Sequence, residues 1–133
     1  MIIADTNILA NFLLPYEFSR QAQALYERDP EWAMPALWWG EFRNLLAGYL
    51  RRRALTFEDV VRIDAEGLLS GNEYEVESRK VLELVRDSDC SACDCEFVAL
   101  GIRLGVKVIT MDKNLLSAFP QHAQPLVGAQ FSV

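Results

Sequence analysis

The chain begins MIIADTNIL (residues 1–9), a short apolar run that stops at Asp5. Residues 1–4 have the composition of a buried strand, and residues 6–14 have apolar positions at helical spacing up to Pro15. In open parallel sheets, ligands bind beyond the carboxyl ends of the strands. A buried strand that ends on a carboxylate therefore predicts an α/β fold with a functional site at the end of its first strand.

Apolar strands alternate with helical segments along the rest of the chain. Further strands or extended segments are predicted at residues 31–34, 73–77, 106–110 and 125–127. Helices are predicted at residues 19–28, 36–50, 56–69, 78–85, 91–104 and 114–119. No internal repeat, low-complexity tract or linker interrupts this pattern. It predicts an α/β fold with a mostly parallel central sheet flanked by helices, in a single domain over residues 1–133.

Composition narrows the classes of protein that fit. The chain has 133 residues, 51% of them apolar, which is typical of one compact domain with a real core. Its three cysteines fall between residues 90 and 95 and form no disulfide framework. Without a signal-like start or a long apolar run, a soluble cytoplasmic protein with no membrane contact is expected.

The net charge of −6 argues against a generally basic, nucleic-acid-binding surface. The excess of acids can instead be local. If several of them lie together on metal ions, the rest of the surface is nearly balanced. The question is therefore which acids fall at one place in the fold.

Four acids occupy positions where a site is expected. Asp5 and Asp112 each follow a predicted strand, and Asp94 lies in the first turn of a predicted helix. Glu41 borders the apolar side of the helix predicted at residues 36–50. Each has an ordinary alternative: Asp5 and Asp112 as N-caps, Asp94 as the capping-box partner of Ser91, and Glu41 as a solvated helix edge.

Gathered together, these carboxylates would repel each other, and some would stay protonated unless a cation were bound. Carboxylate and water oxygens are the ligands that Mg²⁺ and Mn²⁺ prefer, with open positions left for phosphate. Such a centre can activate water and stabilise charge on a phosphoryl group. The four acids therefore predict a divalent-metal site for phosphoryl chemistry.

The helix that carries Glu41 has two more features. Its apolar residues predict a buried stripe: Trp38, Phe42, Leu45 and Tyr49. Arg43 lies within the helix, and a basic run follows at residues 51–53. These arginines can supply contacts to nucleic-acid phosphates, and the run also fits a solvated helix end.

Four segments, in chain order, resemble the motifs of PIN-domain ribonucleases, most closely the VapC toxins of bacterial toxin–antitoxin pairs. The segments are IADTN at residues 3–7, WGEFRN at 39–44, SACDCEFVALG at 91–101 and ITMDK at 109–113. Each motif alone is weak, but four in this order on the expected elements are specific. The match covers essentially the whole chain and implies a PIN-like domain.

The resemblance also implies a site and an activity. Asp5, Glu41, Asp94 and Asp112 would be the catalytic residues that bind Mg²⁺ or Mn²⁺. Three polar residues would support them: Asn7, Ser91 and Thr110. Such a protein hydrolyses RNA with metal-activated water, leaving a 5′-phosphate. It usually forms a homodimer and is silenced by a cognate antitoxin whose tail enters the acidic site. Independently of the resemblance, the basic side chains considered above make Arg43, Arg51 and Arg52 the expected substrate-binding residues.

One departure concerns the cysteines. The third motif has Cys95 where a small residue is usual, with Cys90 and Cys93 nearby. Cysteine is small enough to be tolerated, but Cys90 and Cys93 could also form a redox pair, and the three could bind zinc with His122.

Two other classes of protein remain open. One is a catalytically weak PIN-like binding module that acts through RNA or protein contacts. The other is a phosphoacceptor receiver domain, which needs paired acids after its first strand, whereas this chain has one. Metal binding would discriminate the first alternative, and reaction with acetyl phosphate the second.

Overall fold

The computed structural model describes residues 1–126, and within them the strands form one five-stranded sheet. The strands are β1 (Ile2–Ala4), β2 (Trp32–Pro35), β3 (Asn72–Tyr74), β4 (Val108–Thr110) and β5 (Ala123–Pro125). All pairings are parallel, in the order β3-β2-β1-β4-β5. The predicted α/β class and parallel sheet are confirmed, and the sheet is parallel throughout.

Seven helices connect and cover the strands of this described part. They are α1 (Thr6–Leu13), α2 (Ser19–Arg28), α3 (Trp38–Arg51), α4 (Phe57–Ser70), α5 (Ser78–Arg86), α6 (Ala92–Leu104) and α7 (Lys113–Ala118). Their ends follow local chemistry: Thr56 and Asp59 form a capping box on α4, and Gly105 closes α6 with φ of +68°. None of these helices is long and apolar enough to cross a membrane.

Two strand predictions were shifted along the chain. The strand predicted at residues 106–110 begins at Val108, because the Val106 amide instead donates to the Gly101 carbonyl at the end of α6. The last strand ends at Pro125, so its predicted start lies too late. Residue 127, the predicted end of that strand, lies outside the described residues.

The stripe predicted on α3 was wrong at one position. Leu45 is 37% exposed, whereas Leu46 is 1% exposed and packs in the core. Trp38 and Phe42 are four residues apart, and the next four-residue step reaches Leu46. Leu45 therefore lies on the side of the helix that carries Glu41, which matters for the surface near the site.

Helix α6 packs against the centre of the sheet, contacting β1, β2 and β4. Gly101 is the close-approach point. A Cβ added there would lie 2.9 Å from the Val106 carbonyl oxygen and 3.1 Å from Val108 Cγ2. The Val106 segment is held in place by its bond to the Gly101 carbonyl, so it cannot easily retreat. The absence of a side chain at Gly101 therefore sets how closely α6 approaches β4.

We expect Gly101→Ala to lower the free energy of unfolding by about 1–3 kcal/mol, because overpacking against a backbone carbonyl outweighs the better helix propensity of alanine. Gly40→Ala is the matched control, because no heavy atom lies within 4 Å of a Cβ built there. That control should be neutral or stabilising by up to about 1 kcal/mol. Urea unfolding measures both, and an unfolding midpoint of Gly101→Ala at or above that of the unsubstituted chain would refute the packing argument.

Candidate metal centre

The candidate site lies at the carboxyl ends of β1 and β4, which are adjacent parallel strands. Asp5 follows β1 directly, and Asp112 begins the turn into α7 just after β4. The chain leaves β1 toward β2 on one side, while β4 lies on the other. This reversal of strand order is where ligand sites form in open parallel sheets. The two aspartates lie at one edge, as the sequence predicts.

Asp5 is the most buried acid of the site, only 6% exposed. Its Oδ1 accepts a hydrogen bond from the Thr6 amide at 2.7 Å, and its Oδ2 accepts one from Thr110 Oγ1 at 2.6 Å. Burial raises the pKa of Asp5 to about 6, against the lowering effect of those two hydrogen bonds. The charges of Glu41 and Asp94 contribute to this rise. Asp5 is therefore a carboxylate whose ionisation is disfavoured without a cation.

Glu41 and Asp94 approach Asp5 from two different helices. Thr6 Oγ1 donates to Glu41 Oε1 at 2.7 Å, which ties the start of α1 to α3. Burial raises the pKa of Glu41, and the charge of Asp94 raises it as well. The pKa of Asp94 is raised by burial and then by Asp112. The four acids therefore form one chain of mutually repelling charges across the sheet edge.

Asp112 also serves as the N-cap of α7. Its Oδ1 accepts hydrogen bonds from the Asn114 amide at 2.8 Å and the Leu115 amide at 3.3 Å. In the described part of the chain, hydrogen bonds engage only Oδ1 of Asp112 and only Oε1 of Glu41. Capping thus uses one oxygen and leaves the other available, so the structural role and a ligand role are compatible.

The three predicted supporting residues, Asn7, Ser91 and Thr110, form hydrogen bonds with the acids or with the backbone beside them. Thr110 Oγ1 donates to Asp5 and accepts from the Asp112 amide at 3.0 Å. Asn7 Nδ2 donates to Asp5 Oδ2 at 3.4 Å, and its Oδ1 accepts from the Met111 amide at 3.4 Å. Ser91 caps α6 by accepting from the Asp94 amide at 3.1 Å. Each of the three fixes the backbone or side chain of an acid.

We expect Thr110→Val to weaken both metal affinity and stability, because this fully buried hydroxyl holds Asp5 and the Asp112 amide together. Losing it leaves a buried carboxylate oxygen and an amide without their partner, at roughly 1–3 kcal/mol of unfolding free energy. Thr110→Ser keeps the hydroxyl and is the control. Urea unfolding and Mn²⁺ calorimetry should show a lower unfolding free energy and a weaker Mn²⁺ affinity for Thr110→Val, and values close to those of the unsubstituted chain for Thr110→Ser. Equal values for the two variants would contradict this role.

The predicted substrate arginines lie apart from the carboxylates. Arg43 pairs with Asp64 on α4 at 3.3 Å and stacks over the Trp39 ring at 4.1 Å. Arg51 is exposed at the end of α3, and Arg52 lies over a tyrosine ring. No ion pair within residues 1–126 joins any of these arginines to the four acids. Their contact with substrate remains a prediction.

The sequence does not predict that two further residues belong to the site. Thr6 positions Glu41, although the sequence suggests only that it begins α1. Glu96 lies near Glu41, whose charge adds to the effect of burial in raising the Glu96 pKa. The neighbour of each lies on another helix, so no spacing along the chain could reveal the pair.

The residues at this edge of the sheet fit a hard divalent cation. The donors are carboxylate oxygens, their pKa values are raised by burial and mutual repulsion, and in the described ion pairs no basic side chain neutralises them. Among residues 1–126, no group of three or more His, Cys, Asp or Glu side chains is already arranged to hold an ion. Mg²⁺ commonly uses one or two carboxylates and several waters, so a complete protein cage is not required.

The zinc interpretation of the cysteines was wrong. The His122 carbonyl accepts from the Val108 amide, which places His122 at the opposite end of β4 from Asp112. All three cysteines are free thiols, and Cys95 is buried with its Sγ 3.9 Å from Ser88 Oγ. Burial raises the pKa of Cys90, Cys93 and Cys95, and Asp94 adds to it. This is the opposite of what a reactive redox pair requires.

Comparison with known structures agrees with this fold. A Pyrobaculum aerophilum protein, PAE2754, matches with a TM-score of 0.77 and 17% identity over 94% of this chain and 83% of that one. A toxin–antitoxin complex from Klebsiella pneumoniae matches with 0.69 and 18% identity over 92% and 95%. VapC20 from Mycobacterium tuberculosis, a sarcin–ricin loop cleaving toxin, matches with 0.68 and 19% identity over 89% and 95%.

Sequence comparison identifies the family to which the chain belongs. No curated protein matches the chain at a significant level. The family model described as PIN domain matches residues 2–119. This span includes both strands that end at the site and all four of its acids. The chain therefore belongs to the PIN domain family.

Proposed function

We propose that this chain is an endoribonuclease that depends on Mg²⁺ or Mn²⁺ and acts as the toxin of a toxin–antitoxin pair. The observation that carries the proposal is the chain of four coupled carboxylates at one sheet edge, with raised pKa values for three of them and no cationic partner in the described ion pairs. A divalent cation bound among such acids would stabilise their ionised forms, and carboxylate oxygens are the ligands that Mg²⁺ and Mn²⁺ prefer.

In this proposal the acids divide into two roles. Glu41 and Asp112 each offer an oxygen that no hydrogen bond in the described part engages, and Asp94 lies between them in the electrostatic chain. Asp5 is held by Thr110 and Thr6, so it is a fixed, buried anchor. The bound cation would supply activated water and neutralisation of charge on the phosphate. The protein residues keep these oxygens in position.

The family and the similar structures support the choice of substrate and partner. PIN domains are generally nucleases. Among the similar structures, one protein is a toxin that cleaves the sarcin–ricin loop and another forms a toxin–antitoxin complex. For this chain we accordingly propose RNA as substrate, a 5′-phosphate product, a cognate antitoxin that closes the acidic site, a homodimer and a cytoplasmic location.

The second candidate is a PIN-like binding module with weak or no catalysis. It is favoured by one observation, the absence among the described residues of a preformed group of three metal-binding side chains. The receiver-domain alternative was wrong, because the family is PIN and β1 is followed by a single acid. Calorimetry with Mn²⁺ separates nuclease from module, since a module of this kind need bind no metal.

The direct test is RNA cleavage by the purified chain with Mg²⁺ or Mn²⁺, in parallel with a chelator and with Asp94→Asn. Asparagine keeps the shape of Asp94 but removes the charge that holds a cation. Asp87→Asn is the matched control, since Asp87 is exposed and pairs only with its neighbour Arg86 among the described ion pairs. We expect cleavage by the unsubstituted chain and by the control alone. Equal cleavage in all samples would identify a contaminant, and cleavage by none would favour the module.

A further inference from the structure

One face of α3 runs from the acidic site to the far end of the helix. Glu41, Leu45, Gly48 and Arg52 have the spacing i, i+4, i+7 and i+11, which places them along one side. Glu41 belongs to the site, and Leu45 beside it is exposed. Gly48 lies roughly 10 Å farther along the axis than Glu41. This face therefore forms a continuous path away from the carboxylates.

Arg52 folds back along this path toward the acids. A Cβ built on Gly48 would lie 3.2 Å from Arg52 Nη1, so the guanidinium covers the glycine. The same guanidinium lies over the Tyr49 ring, 5.0 Å from its centroid. Helical side chains lean toward the N-terminus of the helix, which carries the charge one turn nearer to Glu41. The glycine and the tyrosine together hold the arginine in one place.

The ring under Arg52 is itself supported. Tyr16, in the loop between α1 and α2, packs against Tyr49 with ring centroids 5.8 Å apart. Burial raises the pKa of Tyr16, and a hydrogen bond with the Tyr49 side chain contributes to this effect. Because α1 also carries Thr6, which bonds Glu41, the α1–α3 contact links this cluster to the site. The arginine and the acids share a common scaffold.

Arg52, like Arg51 and Arg53 beside it, has no carboxylate partner among the ion pairs of residues 1–126, and its place over Gly48 and Tyr49 fixes where its charge lies. Arg43, on the other side of α3, is neutralised by Asp64. An exposed, planar and pre-positioned guanidinium without a counter-charge is suited to a phosphate oxygen, which it can bind by two parallel hydrogen bonds. The chain as a whole carries a net charge of −6, so the positive charge of Arg52 is a local exception that can attract a phosphate.

We propose that Arg52, held over Gly48 and Tyr49, binds a backbone phosphate of single-stranded RNA, distant from the phosphate at the carboxylates. The strand then follows the α3 face past the exposed Leu45 side chain. This inference rests on the proposed ribonuclease function and adds a substrate subsite to it. Because the subsite lies about 10 Å along the helix from Glu41, only RNA longer than a dinucleotide reaches both places.

The test measures binding of a fluorescent single-stranded octanucleotide RNA, and of a dinucleotide, to the full-length Asp94→Asn protein in Mg²⁺ at several salt concentrations. In this background, Arg52→Gln should weaken octanucleotide binding about tenfold and reduce the slope of log K against log salt by about 0.7. Dinucleotide binding should not change. Gly48→Gln keeps the arginine but displaces it, so it should reproduce much of the loss without changing the net charge.

One control removes an arginine far from α3. Arg79, on α5, is 82% exposed and pairs with Glu83, so Arg79→Gln should leave affinity and slope unchanged. Three results would each overturn the subsite. Arg52→Gln could bind the octanucleotide as tightly as its parent, the Arg52 and Arg79 variants could lose equal affinity, or the parent could bind no RNA. Cleavage by the unsubstituted chain, assayed separately, reports on the nuclease proposal irrespective of these results.

Discussion

Asp5→Asn should make the metal-free chain more stable at neutral pH while reducing RNA cleavage by about a hundredfold or more. The two effects have one cause, the burial of a carboxylate whose pKa is raised to about 6 from 3.8. Asparagine can keep the hydrogen bond from the Thr6 amide and carries no charge. It therefore removes the unfavourable ionisation along with the ligand.

The sign of the pH dependence follows from the two pKa values. Below about pH 4, Asp5 is protonated in both the folded and unfolded chain, and its ionisation has no effect on stability. Between about pH 4 and pH 6, Asp5 is ionised in the unfolded chain but still protonated in the folded chain, so stability is lost as the pH rises. Two pKa units correspond to about 3 kcal/mol, which is the full loss above that range.

Urea unfolding in chelator at a series of pH values measures this effect. The difference in unfolding free energy between Asp5→Asn and the unsubstituted chain should grow in favour of the variant between about pH 4 and pH 6, then level off. Asp87→Asn, which removes an exposed acid, controls for the change in net charge and should show no such growth. A difference that does not vary with pH would mean that Asp5 ionises normally.

Mn²⁺ should raise the unfolding free energy of the unsubstituted chain by about as much as Asp5→Asn raises that of the metal-free chain. A ligand that binds only the folded state at a hundred times its dissociation constant adds about 2.7 kcal/mol of stability. The effect should grow as the pH rises past about 6, because protons compete with the cation for Asp5. Bound Mn²⁺ would thus offset both the burial of the carboxylates and the repulsion between them.

Thermal unfolding with and without Mn²⁺, at constant ionic strength, checks this prediction. Asp94→Asn should lose most of the shift in Tm, and Asp87→Asn should keep it. A shift of equal size in both variants would place the bound metal away from the carboxylates. No shift in any protein would favour the binding module.

Much of the fold could be predicted because its signals are local. The apolar run before Asp5 and the β-branched run before Asp112 define two adjacent parallel strands, and parallel strands share their carboxyl edge. The capping box of Thr56 and Asp59 and the glycine after α6 were also readable from short spacings. Where residue type and position both reflect a local rule, the sequence was sufficient.

The rest depends on contacts between distant segments. Leu45 and Leu46 are both leucines, and only the packing of α3 decides which one is buried. The bond from Thr6 to Glu41 spans 35 positions, and the proximity of Glu96 to Glu41 joins two helices. The position of Arg52 depends on a glycine and a tyrosine that have no distinctive sequence signal. These details required the three-dimensional structure.

The most direct measurement is the dependence of RNA cleavage on Mn²⁺ concentration, set beside the Mn²⁺ dissociation constant from calorimetry, for the unsubstituted chain and for Asp94→Asn. If the carboxylates hold the catalytic cation, cleavage is absent without metal, and its half-activating concentration coincides with the dissociation constant. In Asp94→Asn, the dissociation constant for Mn²⁺ then rises and cleavage is lost with the cation. Cleavage that persists in chelator, or a half-activating concentration that Asp94→Asn leaves unchanged, would contradict a metal centre at Asp5, Glu41, Asp94 and Asp112.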